Sequence, residues 1–139
     1  DYAQKLKEKT GKKIYVVSFK KIKDERIAKC FHMANPKDFI GLVENADAVV
    51  TNSFHGTAFS VLFQKKFTSI GKERYNSRMI SLLEKLDLKS HFVASGMNLS
   101  GEVIEKTIQR NNIENVDKKL QEWIKTSKEF LGNSLNIQS

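Results

Sequence analysis

The sequence predicts an α/β protein, with a Rossmann-like parallel sheet and helices on both faces. Short apolar segments rich in β-branched residues alternate along the chain with longer amphipathic segments. The apolar segments are continuous rather than strictly alternating, which is typical of strands that are buried on both faces of a parallel sheet. A length of 139 residues is enough for one core of useful size. We therefore expect residues 1–139 to form one domain.

The first half of the chain predicts two helices and two strands. Asp1–Thr10 is amphipathic and is predicted to be a helix that stops at Gly11. Lys13–Phe19 is predicted to be a buried strand, and a charged connector leads from it to a short strand at Ile27–Met33. Asn35–Pro36 has the residue types of an N-cap and a first helical position, so a helix is expected to begin there.

The second half continues the alternation. Strands are predicted at Asp47–Thr51, Phe67–Ile70 and His91–Val93. Helices are predicted at Thr57–Gln64, Ser77–Leu88, Ser100–Gln109 and Asp117–Leu131. Gly132 is expected to close the last helix, and the tail Asn133–Ser139 is expected to fray.

The charge of the chain favours a solvated basic surface over a nucleic-acid interface. Lysine and arginine number 24 against 16 acidic residues, for a net charge of +8. The lysines are spread through helix-like segments, and aromatic residues are not interleaved with them as a base-stacking platform would require. We expect no nucleic-acid partner.

Two further features of the composition concern the cellular compartment. No apolar run approaches the roughly 20 residues that cross a bilayer, and the N-terminal residues lack the apolar segment of a signal peptide. Cys30 is the single cysteine, which excludes an intrachain disulfide and fits a reducing compartment. These features predict a cytoplasmic protein, with the inner face of the membrane as an alternative place of work.

The most informative segment is the turn that follows the strand Asp47–Thr51. Ligands of open parallel sheets bind beyond the carboxyl ends of the strands, where helix N-termini offer unpaired N–H groups. Ser53 and Thr57 add hydroxyls, Gly56 allows close approach to the backbone, and His55 adds a side chain type that exchanges protons near neutral pH. An ordinary capped turn with a hydrogen-bonded histidine is the alternative interpretation.

A second loop, Gly71–Arg78, follows the next predicted strand and should lie on the same rim of the sheet. Lys72, Arg74 and Arg78 give it a group of cations, and guanidinium groups suit carboxylates and phosphates. Cations at a helix N-terminus oppose the helix dipole, which is less surprising if an anion lies between them. A solvated loop explains the same residues equally well.

The other two histidines carry less information. His32 lies near a strand end from which it could reach the cleft, whereas His91 is expected to be structural. No pair of histidines or carboxylates has the spacing of metal ligands, so no metal site is expected.

At these residues the chain resembles the polysaccharide pyruvyl transferase family. The resemblance runs through Pro36–Ile40, Asn45–Ser60 and Arg74–Leu83, and it returns in the C-terminal stretch from Val116 to Leu131. It implies the build of GT-B-type two-domain enzymes, with the active site between two Rossmann-like halves. The chain matches the second half, so the N-terminal domain would be absent and the fragment is expected to show no turnover alone.

The resemblance also implies a reaction and a set of residues. Pyruvate is transferred from phosphoenolpyruvate to two hydroxyls of a sugar in a surface or exported polysaccharide, which forms a cyclic ketal and releases phosphate. His55 would be the general acid/base, and no cofactor or metal is needed beyond the donor. The acceptor would be a glycan or a lipid-linked sugar. The substrate-binding residues would be Ser53, Phe54, Gly56, Thr57, Arg74 and Arg78. His91 stands where family members often carry arginine, which puts a role for it in doubt.

Two other functions fit the same sequence. One is a GT-B-type glycosyltransferase, in which His55 and the helix N-terminus would hold the diphosphate of a nucleotide sugar. The other is a basic module that binds an anionic polysaccharide without catalysis, whose binding would weaken steeply with salt. The identity of the donor distinguishes the glycosyltransferase from a pyruvyl transferase. The binding module is distinguished by binding that does not depend on His55.

Overall fold

The computed structural model describes residues 2–97, 100–109 and 113–138, which form a mixed α/β fold. The helices are α1 (Tyr2–Thr10), α2 (Pro36–Asn45), α3 (Phe54–Leu62), α4 (Ser77–Lys85), α5 (Gly101–Gln109) and α6 (Ile113–Gln138). The strands are β1 (Ile14–Ser18), β2 (Ile27–His32), β3 (Ala48–Thr51), β4 (Lys66–Ile70) and β5 (Phe92–Val93). A single 3₁₀ turn at Lys89–His91 precedes β5.

All strand pairs in the described residues are parallel, as the alternation of strands and helices predicts. β3, β4 and β5 form one sheet in that order, with β4 in the centre. β1 and β2 pair with each other in a separate two-stranded sheet. The expectation of a single sheet is therefore wrong for the described part of the chain, although the parallel α/β class is confirmed.

Two hydrogen bonds show that helices cover both faces of β4. Neighbouring residues of a strand point to opposite faces. The hydroxyl of Thr68 bonds the phenol of Tyr2 on α1 at 2.8 Å, and the hydroxyl of Ser69 bonds that of Thr57 on α3 at 2.7 Å. α1 and α3 therefore lie on opposite sides of the central strand, as expected for a Rossmann-like sheet.

The core lies on the α3 side of β4. Leu83 on α4 is fully buried, and Phe67 on β4 packs into the same cluster. The members of the cluster are Val61, Phe67, Met79, Leu82, Leu83, Leu86, Leu88 and Val116. α3, α4, β4 and α6 thus share one core, to which α4 contributes Met79, Leu82 and Leu83.

The segment Lys13–Phe19 contains the predicted strand as β1, but the prediction that this strand is buried is wrong. Tyr15 and Val17 are exposed, while the alternate residues Ile14, Val16 and Ser18 are half-buried. Parallel strands are normally joined by a crossover of a dozen or more residues, usually a helix that covers one face. The connector between β1 and β2 spans only residues 19–26 and holds no helix, which leaves that face open.

Several predicted helix ends are confirmed and others are corrected. Gly11 ends α1 with a φ of +67°, and the Asn35 side chain accepts from the N–H of Asp38 at 2.8 Å. α4 ends at Lys85, because Leu86 and the left-handed Asp87 turn the chain before Leu88.

α6 departs furthest from its prediction. It begins at Ile113 and continues through Gly132 to Gln138, so the expected stop at Gly132 and the fraying of Asn133–Gln138 are both wrong. A glycine in a helix interior costs only about 1 kcal/mol, which the rest of a long helix outweighs. Asp1 and Ser139 lie outside the described residues.

Candidate functional site

The two loops selected from the sequence lie at the same edge of the three-stranded sheet. Thr51 and Ser69 are register partners in the parallel pair β3–β4, and each strand ends within one residue of that pair. The carboxyl ends of neighbouring parallel strands share one edge. The turn into α3 and the loop into α4 therefore emerge side by side.

Ser53 begins α3 and its hydroxyl is engaged in capping the helix. It accepts from the N–H of Gly56 at 2.9 Å, and Thr51 Oγ1 accepts from the N–H of Ser53 at 3.1 Å. A serine cap of this kind satisfies one of the N–H groups that the first helical turn leaves unpaired. α3 consequently starts at Phe54, three residues before the predicted start at Thr57.

Gly56 and Thr57 are directed into the protein rather than towards a ligand. A Cβ on Gly56 would lie 2.9 Å from the Cβ of Thr51 and closer still to its hydroxyl. Thr57 is fully buried, and its N–H donates to the Ser53 carbonyl at 3.1 Å. Both backbone N–H groups have internal partners, so a contact of either with a ligand stays a prediction.

Phe54 and His55 lie in the first turn of α3. His55 is exposed, and Phe54 is half-buried against the core. Their N–H groups donate to no atom of the residues that the structure describes. The first turn of α3 therefore presents two unpaired N–H groups and an imidazole at one place, which is the arrangement of an anion site at a helix N-terminus.

Arg78 joins this group across the sheet edge. Its guanidinium carbon lies 4.3 Å from the centre of the Phe54 ring, and the edge of that ring meets the His55 imidazole with 5.8 Å between centroids. A guanidinium over an aromatic face is attracted by the ring and is held in a defined place. Phe54 thus connects the cation of α4 with the histidine of α3.

The side chain of Asn76 bonds the backbone at the start of the loop before α4. The Asn76 side chain accepts from the N–H of Lys72 at 2.9 Å and donates to the Lys72 carbonyl at 2.6 Å. Arg74 and Tyr75 are exposed. Of the two predicted arginines, Arg78 contacts Phe54, and a role of Arg74 in binding stays a prediction.

An open groove runs from Phe54 along the surface of α4, with a volume of about 390 Å³. It is lined by Phe54, Ser77, Arg78, Ser81, Leu82 and Lys85. Ser81 and Lys85 were not identified from the sequence as site residues. They follow Arg78 at intervals of three and seven residues, so helical spacing from Arg78 was the available signal.

The remaining candidates occupy structural positions. His91 is fully buried, stacks on Phe67 with 4.6 Å between ring centroids, and bonds the Phe67 carbonyl through Nδ1 at 2.9 Å. His32 bonds the Phe19 carbonyl through Nε2 at 2.8 Å, and Cys30 is half-buried within β2. Over the described ranges, no three histidine, cysteine or carboxylate side chains come together as metal ligands.

The arrangement is suited to a small anion with a reacting carbon beside it. Arg78 offers a planar fork of donors that matches a carboxylate or phosphate, and the open N–H groups of α3 offer a second set. His55 lies beside Phe54 on an exposed surface, where it could exchange a proton with a bound molecule. The groove beyond Arg78 leaves room for a second, larger substrate.

Comparison with known proteins supplies one match. The model of the family described as polysaccharide pyruvyl transferase matches residues 2–74, just over half of the chain. The match includes the whole turn Thr51–Thr57 and ends before Arg78. Comparison with curated proteins and with solved structures finds no significant match. None of the described helices is long and apolar enough to span a membrane.

Proposed function

The chain belongs to the polysaccharide pyruvyl transferase family, and on that premise we propose that its α3–α4 edge holds phosphoenolpyruvate for transfer to a polysaccharide sugar. The observation that carries the proposal is the contact of Arg78 with Phe54 beside the exposed His55. Phosphoenolpyruvate has a carboxylate and a phosphate close together. A site for it needs at least two sets of donors around one proton-transfer group.

The two anionic groups of phosphoenolpyruvate would be bound by two different helices, α3 and α4. The guanidinium of Arg78 would bind one anionic group, and the open N–H groups of Phe54 and His55 would bind the other. Arg78 lies over an aromatic ring and is therefore partly ordered before the donor arrives, which lowers the entropy lost on binding. Arg74 would add charge near the site without direct contact.

His55 would transfer protons during the reaction. Protonation of the donor methylene makes its central carbon electrophilic, and the first sugar hydroxyl adds there and gives up its proton. The second hydroxyl then displaces phosphate from the same carbon. The products are a cyclic pyruvate ketal, whose central carbon carries a methyl group, and inorganic phosphate. One imidazole beside that carbon could donate the first proton and accept a hydroxyl proton afterwards.

Ser53, Gly56 and Thr57 support this site most directly as positioning residues. Ser53 caps α3, Gly56 lets the helix lie against Thr51, and Thr57 bonds the neighbouring strand through Ser69. These contacts hold the first turn of α3 against β3 and β4. Phe54 and His55 are thereby directed towards Arg78.

The acceptor sugar would lie in the α4 groove. The groove is larger than phosphoenolpyruvate requires, and its lining combines hydroxyls, cations and an aromatic edge. Ser77 and Ser81 could bond sugar hydroxyls while Leu82 contacts an apolar face of the ring. The acceptor would be a glycan or a lipid-linked sugar in the cytoplasm, and a preceding domain of GT-B type would supply the opposite wall of the cleft.

Calorimetric titration of the chain with phosphoenolpyruvate, and separately with uridine-diphosphate glucose, tests the proposal. We expect saturable binding of phosphoenolpyruvate and none of the nucleotide sugar. Binding of the nucleotide sugar alone would favour glycosyl transfer from the same helix N-terminus. Binding of neither would overturn the proposal that these residues suffice to hold the donor.

A further inference from the structure

A group of large apolar side chains is exposed at one end of the β1–β2 sheet. Phe19 is 88% exposed and Met33 is 67% exposed, and Ile22 follows in the connector. Tyr15 and Val17 extend the apolar surface along β1. We call Tyr15, Val17, Phe19, Ile22 and Met33 the apolar patch. Contiguous surfaces of this kind are rare on soluble proteins unless something binds them.

Backbone contacts fix the most exposed members of the patch next to each other. The N–H of Met33 donates to the Ser18 carbonyl at 3.0 Å, and the His32 ring bonds the Phe19 carbonyl at 2.8 Å. Met33 has a φ of +52°, a left-handed conformation that residues other than glycine rarely adopt. Phe19 and Met33 are thus held together at the carboxyl ends of the two strands.

Lysines surround the apolar patch. Lys20, Lys21 and Lys23 alternate with Phe19 and Ile22 along the connector, and all three are exposed. Lys29 lies on the β1–β2 face with its ammonium 4.6 Å from the centre of the Phe31 ring.

The acidic residues of the connector neutralise only part of this charge. Asp24 and Glu25 are the acids of the segment, and Asp24 is already bonded to Arg26 with Nη2–Oδ2 at 2.6 Å. That side-chain hydrogen bond holds the pKa of Asp24 well below its usual range, so Asp24 stays ionised and paired. The lysines beside the patch keep a net positive charge.

We propose that the apolar patch and its lysines bind the surface of an anionic lipid bilayer. Exposed aromatic and aliphatic side chains can enter the boundary between headgroups and acyl chains, while lysines on long stems reach the phosphates. Each lysine near such a surface contributes about a fivefold gain in affinity. The alternation of apolar and basic residues in Phe19–Lys23 meets both requirements within one short segment.

The charge distribution favours a bilayer over a second copy of the chain. Two copies would bring the same lysines together, and the chain as a whole carries +8. An acidic amphipathic helix from another protein is the other occupant with suitable charge, and it could replace the crossover helix that the short connector lacks. The bilayer is favoured because the most exposed residues lie at the end of the sheet rather than along its face.

Co-sedimentation with phosphatidylcholine vesicles, with and without phosphatidylglycerol, tests this proposal independently of the donor site. We expect binding only to the anionic vesicles, and weaker binding at high salt. Phe19→Ser with Met33→Ser should lower the affinity at least about tenfold, because two apolar side chains no longer enter the bilayer. Lys20→Glu with Lys21→Glu should lower it at least as much.

Matched variants at exposed sites outside the patch separate these effects from general changes of the surface. Leu62→Ser with Met97→Ser removes two apolar residues that are 53% and 55% exposed, and Lys118→Glu with Lys125→Glu makes the same change of charge on α6. Both should bind like the unchanged chain. The proposal would be overturned if the chain did not bind anionic vesicles, or if the Phe19/Met33 variant bound them equally well. It would also be overturned if the unchanged chain were a dimer that dissociates in that variant.

Discussion

Arg78 is the cationic side chain that contacts the aromatic ring of the proposed site. It lies in the first turn of α4, where its positive charge opposes the helix dipole, and its guanidinium stacks on Phe54. The stacking contributes about 0.5–1 kcal/mol at an exposed position, comparable with the dipole cost. A bound anion would offset the unfavourable interaction of the Arg78 charge with the helix dipole. Substitution of Arg78 should therefore have a measurable effect on donor binding.

The two arginines of the α4 loop should differ in their effect on donor binding. Arg78→Ala should weaken phosphoenolpyruvate binding about 10- to 100-fold, because a charge-assisted hydrogen bond contributes about 1.5–3 kcal/mol. Arg74→Ala removes the same charge four residues earlier and should change the affinity less than about threefold. Calorimetric titration of both variants measures the difference. Equal losses would mean that net charge, and not the stacked guanidinium, attracts the donor.

The residues of the proposed site were selected from the sequence, but the contacts that each of them makes were not predictable from it. His55 and Arg78 stood out because titratable and cationic residues followed two predicted strands. Gly56 was assigned to close approach of a ligand, whereas the structure uses its missing side chain for close approach to Thr51. A sequence shows that a glycine is present but not which neighbour requires it.

At the scale of elements, α3 is fixed at its beginning by three contacts. Ser53 caps the helix, Gly56 touches β3, and the buried Thr57 bonds Ser69 on β4. The cap also explains why α3 starts at Phe54. The prediction from apolar periodicity missed the first turn of this helix, because Phe54, His55 and Gly56 do not continue the apolar pattern.

Replacing Gly56 by alanine should destabilise the fold, because the clash with Thr51 costs more free energy than the higher helix propensity of alanine contributes. Gly56→Ala forces a methyl group against Thr51 and should lower the free energy of unfolding by about 1–3 kcal/mol. The control is Gly41→Ala inside α2, where no atom lies within 4 Å of the added Cβ. The free energy of unfolding of that variant should rise by roughly 0.5–1 kcal/mol. Urea denaturation measures both. An unchanged or more stable Gly56→Ala chain would show that α3 does not depend on this contact.

On the scale of the whole molecule, the two sheets differ in how they are covered. β4 is buried between helices on both faces, while β1 and β2 leave one face open. Ion pairs at the surface connect the parts, among them Lys12–Asp47 at 3.1 Å and Lys9–Glu105. Exposed pairs of this kind contribute little stability. Residues 1–139 as one domain therefore stay a prediction.

Native-state hydrogen exchange should reveal this difference. The amides of Val16 and Val17 in β1 should exchange at least about tenfold faster than those of Thr68 and Ser69 in β4, because a half-covered two-stranded sheet opens more readily. Equal protection across both sheets would indicate that they unfold as one unit. Phosphoenolpyruvate should slow exchange in α3 and leave β1 unaffected.

The overall class was predictable because strands and helices alternate, and the split into two sheets was not. The continuous apolar run Lys13–Phe19 predicted burial, but burial depends on a covering helix that eight connector residues do not provide. Likewise, Gly132 looked like a helix end, but α6 passes through it. In both cases a local pattern of residue types did not by itself decide the structure.

The most direct test of the account is an amide NMR titration of the chain with phosphoenolpyruvate, which reports where the donor binds. The account predicts saturable shifts at Phe54, His55 and Arg78, smaller shifts along α4 at Ser81, and loss of the shifts in Arg78→Ala. Shifts spread over the exposed lysines, or confined to residues away from the beginnings of α3 and α4, would contradict it.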